Sequence, residues 1–170
     1  MVPGPGFFIY APAMEVIALE TKIFSLGQDL VEFIVTSVPH ERVAEGMILA
    51  VTSNIVSLSE QAIAKRSEIG KSALIRREAE TFLGKTLYGV VLTIKHGILI
   101  PSAGIDESNS EDGSYIFFPK DPYASAGRLY EALRSRWKLQ DLGIILTDSH
   151  TQPLRKGVTG IGLAHWGFRA

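Results

Sequence analysis

Two short acidic segments carry most of the chemistry this chain could perform. Gly104-Ile105-Asp106-Glu107-Ser108-Asn109 gathers two carboxylates, a hydroxyl and an amide in a loop just after an apolar run, and Thr147-Asp148-Ser149 closes a second apolar run with a carboxylate between two hydroxyls. Sheet proteins place ligands at such strand ends. Asp106 and Asp148 with their neighbours form a hard-oxygen set that suits Mg²⁺ or Mn²⁺, ions that bridge phosphate oxygens. The competing reading is a local turn in which Asp106 and Asn109 bond their own backbone. Composition alone weighs the two evenly, and the second acidic strand end favours a shared metal-phosphate site, with the two aspartates expected at the ends of adjacent strands of one sheet.

Other motifs carry less. Gly70-Lys71-Ser72 and Gly84-Lys85-Thr86 both end like a phosphate-binding loop, but Lys65 and Ala79 stand where the leading glycine belongs, so each glycine reads as a helix break or end. His40, His96, His150 and His165 are scattered without metal-site spacing, and the chain has no cysteine to complete a zinc set. His96 reads as a turn or core residue; His150, following an acidic residue at a strand end, is the better candidate for chemistry. Arg155-Lys156-Gly157 offers two cations beside a glycine, a pattern that is more often a solvated loop than an anion site.

The elements that must position these groups alternate along the chain. Residues 15–19 (EVIAL) read as a strand, Asp29 as the cap of a helix carrying Leu30, Phe33 and Ile34, and residues 47–51 (MILAV) as a buried strand delivering Thr52, Ser53 and Asn54 to its end. Residues 59–83 are rich in Ala, Glu, Lys and Arg and read as helix, interrupted near Gly70. Strands follow at 87–94, 98–100 and 115–118, with a polar loop over 101–109. Asp121-Pro122 starts a helix that carries Leu129, Leu133 and Trp137; residues 142–146 form a second buried strand, and 158–164 a last one. The order predicts a mixed α/β (α+β) domain, a sheet with flanking helices, over residues 14–170. Residues 1–13, apolar but free of Lys and Arg and broken by three prolines, read as a loose arm rather than a secretory signal.

Composition sets the outer limits. With 170 residues, 46% of them hydrophobic, the chain can bury a core, and its net charge of −1 provides no general field for nucleic acid or an anionic membrane. No run is long enough to span a bilayer. The absence of cysteine fits a reducing, cytoplasmic setting. Apolar residues 142–146, near the end of the chain, predict self-association.

In order along the chain, Thr21-Lys22-Ile23-Phe24, Gly27-Gln28-Asp29-Leu30, Ser53-Asn54-Ile55-Val56-Ser57, the loop AGIDESN, Asp121-Pro122 with Ser125-Ala126, Thr147-Asp148-Ser149 and Arg155-Lys156-Gly157-Val158-Thr159-Gly160 resemble the gamma-glutamyl ligase family of deazaflavin coenzyme F-420 synthesis. The resemblance implies a gamma-glutamyl-ligase-like fold, shortened at the C-terminus. It also implies a GTP- or ATP-dependent enzyme that activates a substrate carboxylate, as an acyl phosphate, for attack by the amine of L-glutamate. Carried over by position, Asp106, Asp148 and Ser149 would bind Mg²⁺ or Mn²⁺, and Lys22, Ile23, Phe24, Ser25, Ser53, Asn54 and Asn109 would contact the nucleotide. The partners implied are nucleotide, L-glutamate, a coenzyme F-420 precursor or folate-like carboxylate, and a second copy of the chain. Leu58 stands where the family commonly has a lysine. A non-catalytic metal-nucleotide or dimerisation module is the alternative, and a metal-dependent phosphohydrolase a third reading.

Overall fold

The computed structural model describes residues 14–107, 109–110, 113–152 and 154–169. The arm expected over residues 1–13 lies outside them. In chain order the elements are α1 (Leu30–Ser37), β1 (Met47–Thr52), α2 (Ser53–Ser59), β2 (Ile63–Ala64), α3 (Lys71–Glu78), β3 (Thr81–Lys85), β4 (Val91–Lys95), β5 (Ile98–Pro101), β6 (Tyr115–Ile116), α4 (Pro122–Trp137), β7 (Leu142–His150) and β8 (Thr159–Trp166). The fold is mixed α+β, as the sequence predicts. No described helix is long and apolar enough to cross a membrane.

Three small sheets organise the described residues. In the first, β7 is central, parallel to β1 on one side and antiparallel to β8 on the other, with Thr52 level with Thr147. The second pairs β2 with β6, and the third is the antiparallel array β3-β4-β5. Alternation along β7 turns Leu142, Ile144 and Leu146 into the main core, where α4 packs its Ala126, Leu129 and Leu133 stripe. That core also takes Phe33 and Ile34 of α1 and Val56 of α2. A second cluster, built from Ala64, Leu74, Ile75, Ala103, Ile105 and Tyr115, underlies the segment that leads to Asp106.

Both helix starts read from sequence are capped by their aspartates. Asp29 accepts from the Glu32 N–H at 2.9 Å and Asp121 from the Ala124 N–H at 2.9 Å, with Pro122 in the first turn of α4 where no N–H is required. α4 ends at Lys138 in the left-handed conformation.

Elsewhere the structure corrects the sequence reading. Of residues 59–83, read as helix interrupted near Gly70, the part after the interruption is helical as α3, with Gly70 as its N-cap; before it Ile63 and Ala64 pair with Ile116 and Tyr115 instead, and β3 starts at Thr81. Gly84 sits at a register shift in β3 with φ 126°, a strand irregularity rather than a helix end. Residues 86–90 form a turn, so β4 begins only at Val91. Residues 15–19 form no strand, since no neighbouring strand among the described residues offers them a ladder. The apolar run 142–146 is the buried centre of a sheet and gives no reason for association. Exposed apolar side chains lie instead on the β3–β4 hairpin, where Leu87 and Tyr88 are almost fully exposed and Phe82 and Leu83 partly so.

Candidate functional site

β1 runs directly into α2, so Ser53 and Asn54 occupy the first turn of the helix at the C-terminal end of a parallel strand. Each takes hold of a different carboxylate. The buried Ser53 hydroxyl donates to Asp148 Oδ1 at 3.2 Å, and the Asn54 amide donates to Asp106 Oδ2 at 2.8 Å. Asn109 donates to the same Asp106 oxygen at 2.5 Å. Two amide N–H groups on one carboxylate oxygen fix its plane.

The aspartates do not end adjacent strands of one sheet, as expected from sequence. Asp148 lies within β7, whereas Asp106 sits beyond β5 in an isolated antiparallel bridge to Ile116, with backbone hydrogen bonds of 2.8 and 2.9 Å. They nevertheless share a field. Burial raises the Asp148 pKa above the ordinary carboxylate value, and the charge of Asp106 pushes it the same way; the Ser149 N–H, the Ser53 hydroxyl and His150 act against them. The Asp106 charge therefore opposes ionisation of Asp148, a repulsion that a cation between them would relieve.

Ser149 and His150 divide by strand alternation. Ser149 is exposed and falls on the opposite face of β7 from Asp148, and what it gives that carboxylate is its backbone N–H. His150 shares the Asp148 face and is buried, its Nδ1 without a hydrogen-bond partner among the described residues. His96 lies in the β4–β5 turn with φ 52°, its pKa lowered mainly by burial. Arg155, Lys156 and Gly157 are exposed in the loop between β7 and β8.

Of the segment Lys22, Ile23, Phe24 and Ser25, the structure spends Phe24 on the core, edge-to-face with Phe33 at 5.0 Å between ring centroids. Lys22, Ile23 and Ser25 are exposed, and no hydrogen bond among the described residues joins them to the aspartates. The segment is tied to the site through α2, because the Gly27 N–H donates to Leu58 O at 3.2 Å. Leu58 itself packs half-buried against the main core.

Sequence reading missed the supports of Asp106. Glu107 is held by Lys71, at the start of α3, and by Arg66, whose Nη2 also donates to the Glu107 carbonyl at 3.2 Å while its guanidinium lies over the Tyr115 ring. Thr93, read only as a strand residue, hydrogen-bonds the turn before Asp106. No local pattern announces either support, since both join segments distant in sequence. Among the described residues no group of three or more His, Cys, Asp or Glu side chains could enclose a metal. The site offers a pair of carboxylates, not a closed cage.

Comparison with known proteins gives this geometry its context. Residues 18–170 match the model of the F420-0:gamma-glutamyl ligase family. The chain is 32% identical to the coenzyme F420:L-glutamate ligase of Methanopyrus kandleri, the match covering 88% of this chain and 64% of that protein. It is 29% identical to the ligase of the same name from Methanothermobacter thermautotrophicus, over 81% of this chain and 62% of the relative, and 30% identical to that from Archaeoglobus fulgidus, over 85% and 63%. The chain thus spans a little under two thirds of the length of these relatives.

Proposed function

The chain belongs to the F420-0:gamma-glutamyl ligase family, and on that premise we propose that it serves as a metal- and nucleotide-dependent ligase joining L-glutamate to a carboxylate acceptor, a coenzyme F420 precursor or a folate-like acid. The observation that carries the reading is the pair Ser53 and Asn54, consecutive residues that hold Asp148 and Asp106 in one electrostatically coupled site at a strand end.

The donor set fits Mg²⁺ or Mn²⁺. Mg²⁺ is commonly held by one or two carboxylates, with substrate phosphates and water completing its shell, and needs no protein cage. Asp106 and Asp148 would hold the ion, and a bound ion would neutralise charge on the nucleotide phosphates during phosphoryl transfer. Ser149, at the next position, would steady Asp148 by donating its backbone N–H to that carboxylate. Asn54 and Asn109 fix the Asp106 carboxylate, and Ser53 fixes Asp148, so the ligands are oriented before the nucleotide arrives. GTP or ATP would lie along α2 toward Lys22, Ile23 and Ser25. The acceptor carboxylate attacks the terminal phosphorus and nucleoside diphosphate leaves. The glutamate amine then attacks the acyl carbon of the resulting acyl phosphate, phosphate departs, and the nitrogen gives up its proton as the amide forms.

Self-association belongs to the same proposal, through the exposed hairpin residues Leu87 and Tyr88. Sedimentation checks it: a dimer that Tyr88→Asp dissociates is expected, and a wild type that stays monomeric at high concentration refutes it. The ligase reading is tested by mass-resolved assay of the protein with GTP or ATP, Mg²⁺ or Mn²⁺, glutamate and a panel of carboxylates. A product heavier than the acceptor by one glutamyl residue, formed with stoichiometric nucleoside diphosphate, is expected. Phosphate release that ignores both glutamate and acceptor would identify a phosphohydrolase instead.

A further inference from the structure

Asp106 is delivered by an unusual piece of backbone. Ser102, Ala103 and Gly104 are consecutive residues in the left-handed region, with φ of 53°, 55° and 71°. L-residues with side chains avoid this region, and such conformations persist only where the surroundings over-determine them. Two features do so here. The Phe118 ring occupies the space beside Gly104, where an added Cβ would stand 2.4 Å from the Phe118 Cζ. On the other side, the fully buried Thr93 of β4 reaches across the strand pair: its Oγ1 donates to the Ile100 carbonyl at 2.5 Å and accepts the Ala103 N–H at 2.8 Å. One hydroxyl thus bridges the end of β5 and the middle of the left-handed turn. Three residues later the Asp106 backbone enters its bridge with Ile116, and its side chain meets Asn54.

We infer that Thr93 is a positioning residue for the metal site, acting through the left-handed turn 102–104 to set the reach of Asp106 toward Asn54 and Asp148. The inference rests on the reading of Asp106 as a metal ligand. It assigns to the hydroxyl a role separable from the packing of the side chain. Ala103 is itself completely buried, so losing the hydroxyl leaves its N–H without a partner and the turn free to relax. A relaxed turn moves a ligand rather than removing one, and orienting partners of this kind typically change metal affinity by about ten- to a hundredfold.

The experiment titrates Mn²⁺ alone into the whole chain by calorimetry, well below the melting temperature, for wild type, Thr93→Val, Thr93→Ser and Asp106→Asn. Val keeps the volume and loses the hydroxyl; Ser keeps the hydroxyl and loses a methyl. Thr93→Val should weaken Mn²⁺ binding about tenfold or more, while Thr93→Ser binds within about twofold of wild type despite its own loss of packing. If Thr93→Val binds Mn²⁺ like wild type while Asp106→Asn does not, the positioning role is wrong and the metal site stands. If Asp106→Asn binds normally, the metal reading falls and takes this inference with it. A Ser variant weaker than the Val variant would overturn the inference in favour of packing. Should Thr93→Val fail to fold, hydrogen exchange in the wild type decides: Mg²⁺ should slow exchange at the Ala103 amide more than at Ile144 in the sheet centre, and equal slowing at both would overturn the proposal.

Discussion

The Asn54 amide donates to Asp106 Oδ2 across fifty-two positions of chain, at 2.8 Å. The bond joins the first turn of α2 to the loop beyond β5, two segments that share no strand ladder. It gives Asn54 a role in orienting a carboxylate, where the family resemblance implied only a nucleotide contact. Hydrogen bonds to charged groups contribute about 1.5–3 kcal/mol, and the partial exposure of this pair puts it at the lower end. Asn54→Ala should therefore weaken Mn²⁺ binding by about tenfold with little change in fold. Calorimetric titration and far-UV circular dichroism check both parts; an unchanged affinity would reduce the bond to loop packing.

Asp148 makes apo-protein stability depend on pH in a defined direction. Its folded pKa is raised, chiefly by burial, so its contribution to stability is fully present below the unfolded value of about 3.9 and is lost as pH rises through the folded value. Without metal, Asp148→Asn should thus be more stable than wild type near neutral pH, and the advantage should shrink to nothing in acid, where the carboxyl is neutral in both states. Saturating Mn²⁺ should reverse the order, because only the wild type gains from the ion. Thermal melts of both proteins from pH 3.5 to 7.5, with and without Mn²⁺, provide the measurement. A variant less stable than wild type in metal-free neutral buffer would contradict the burial argument.

How far the sequence could be read follows from whether the cause was local. Asp29 and Asp121 cap helices by bonding N–H groups three residues ahead, and both starts were legible. The buried strand at 142–146 was legible from its unbroken apolar run. The helix after Gly70 was legible, but the segment around Ile63 and Ala64 was misread because helical propensity lost to pairing with Tyr115 and Ile116, about fifty residues away in the chain and invisible to any window. Likewise Asp106 and Asp148 stood out by residue type, but the device that brings them together did not. Ser53 and Asn54 look ordinary at the end of a strand, and Thr93 looks like any β-branched strand residue until its hydroxyl is seen to hold Ala103.

Leu58 gives a prediction on nucleotide affinity. It packs half-buried against the main core on the helix that carries Ser53 and Asn54, at the position where the family resemblance of the sequence implies a lysine. A lysine stem can keep much of that apolar contact while its ammonium reaches water or a phosphate. Leu58→Lys should cost about 1 kcal/mol of stability or less and tighten GTP binding by about tenfold, the scale of one charge-assisted contact. Fluorescent-nucleotide titration at constant Mg²⁺ reads the gain. Equal affinity in the two proteins would place the nucleotide away from this turn of α2.

The last prediction separates one shared ion from two independent turns. Asp148 lies in β7 and Asp106 in an isolated bridge outside the sheets, yet the charge of Asp106 raises the pKa of Asp148. If both ligate one Mn²⁺, Asp106→Asn and Asp148→Asn should each weaken binding strongly, and the double variant should lose less than the sum, because the second substitution acts on a site already broken. Local turns would give additive, small effects. Ser149→Ala is the internal control: alternation along β7 puts its hydroxyl on the face opposite Asp148, and its contribution to that carboxylate is a backbone N–H that alanine retains. It should therefore bind Mn²⁺ within about twofold of wild type, against the ten- to hundredfold losses typical when metal-site geometry is disturbed. Calorimetry on wild type and the four variants, each with and without GTP, decides the matter. A Ser149→Ala loss as large as either aspartate's would mean that the hydroxyl itself reaches the ion and that β7 presents both faces to it; strictly additive aspartate losses would mean that no single ion is shared.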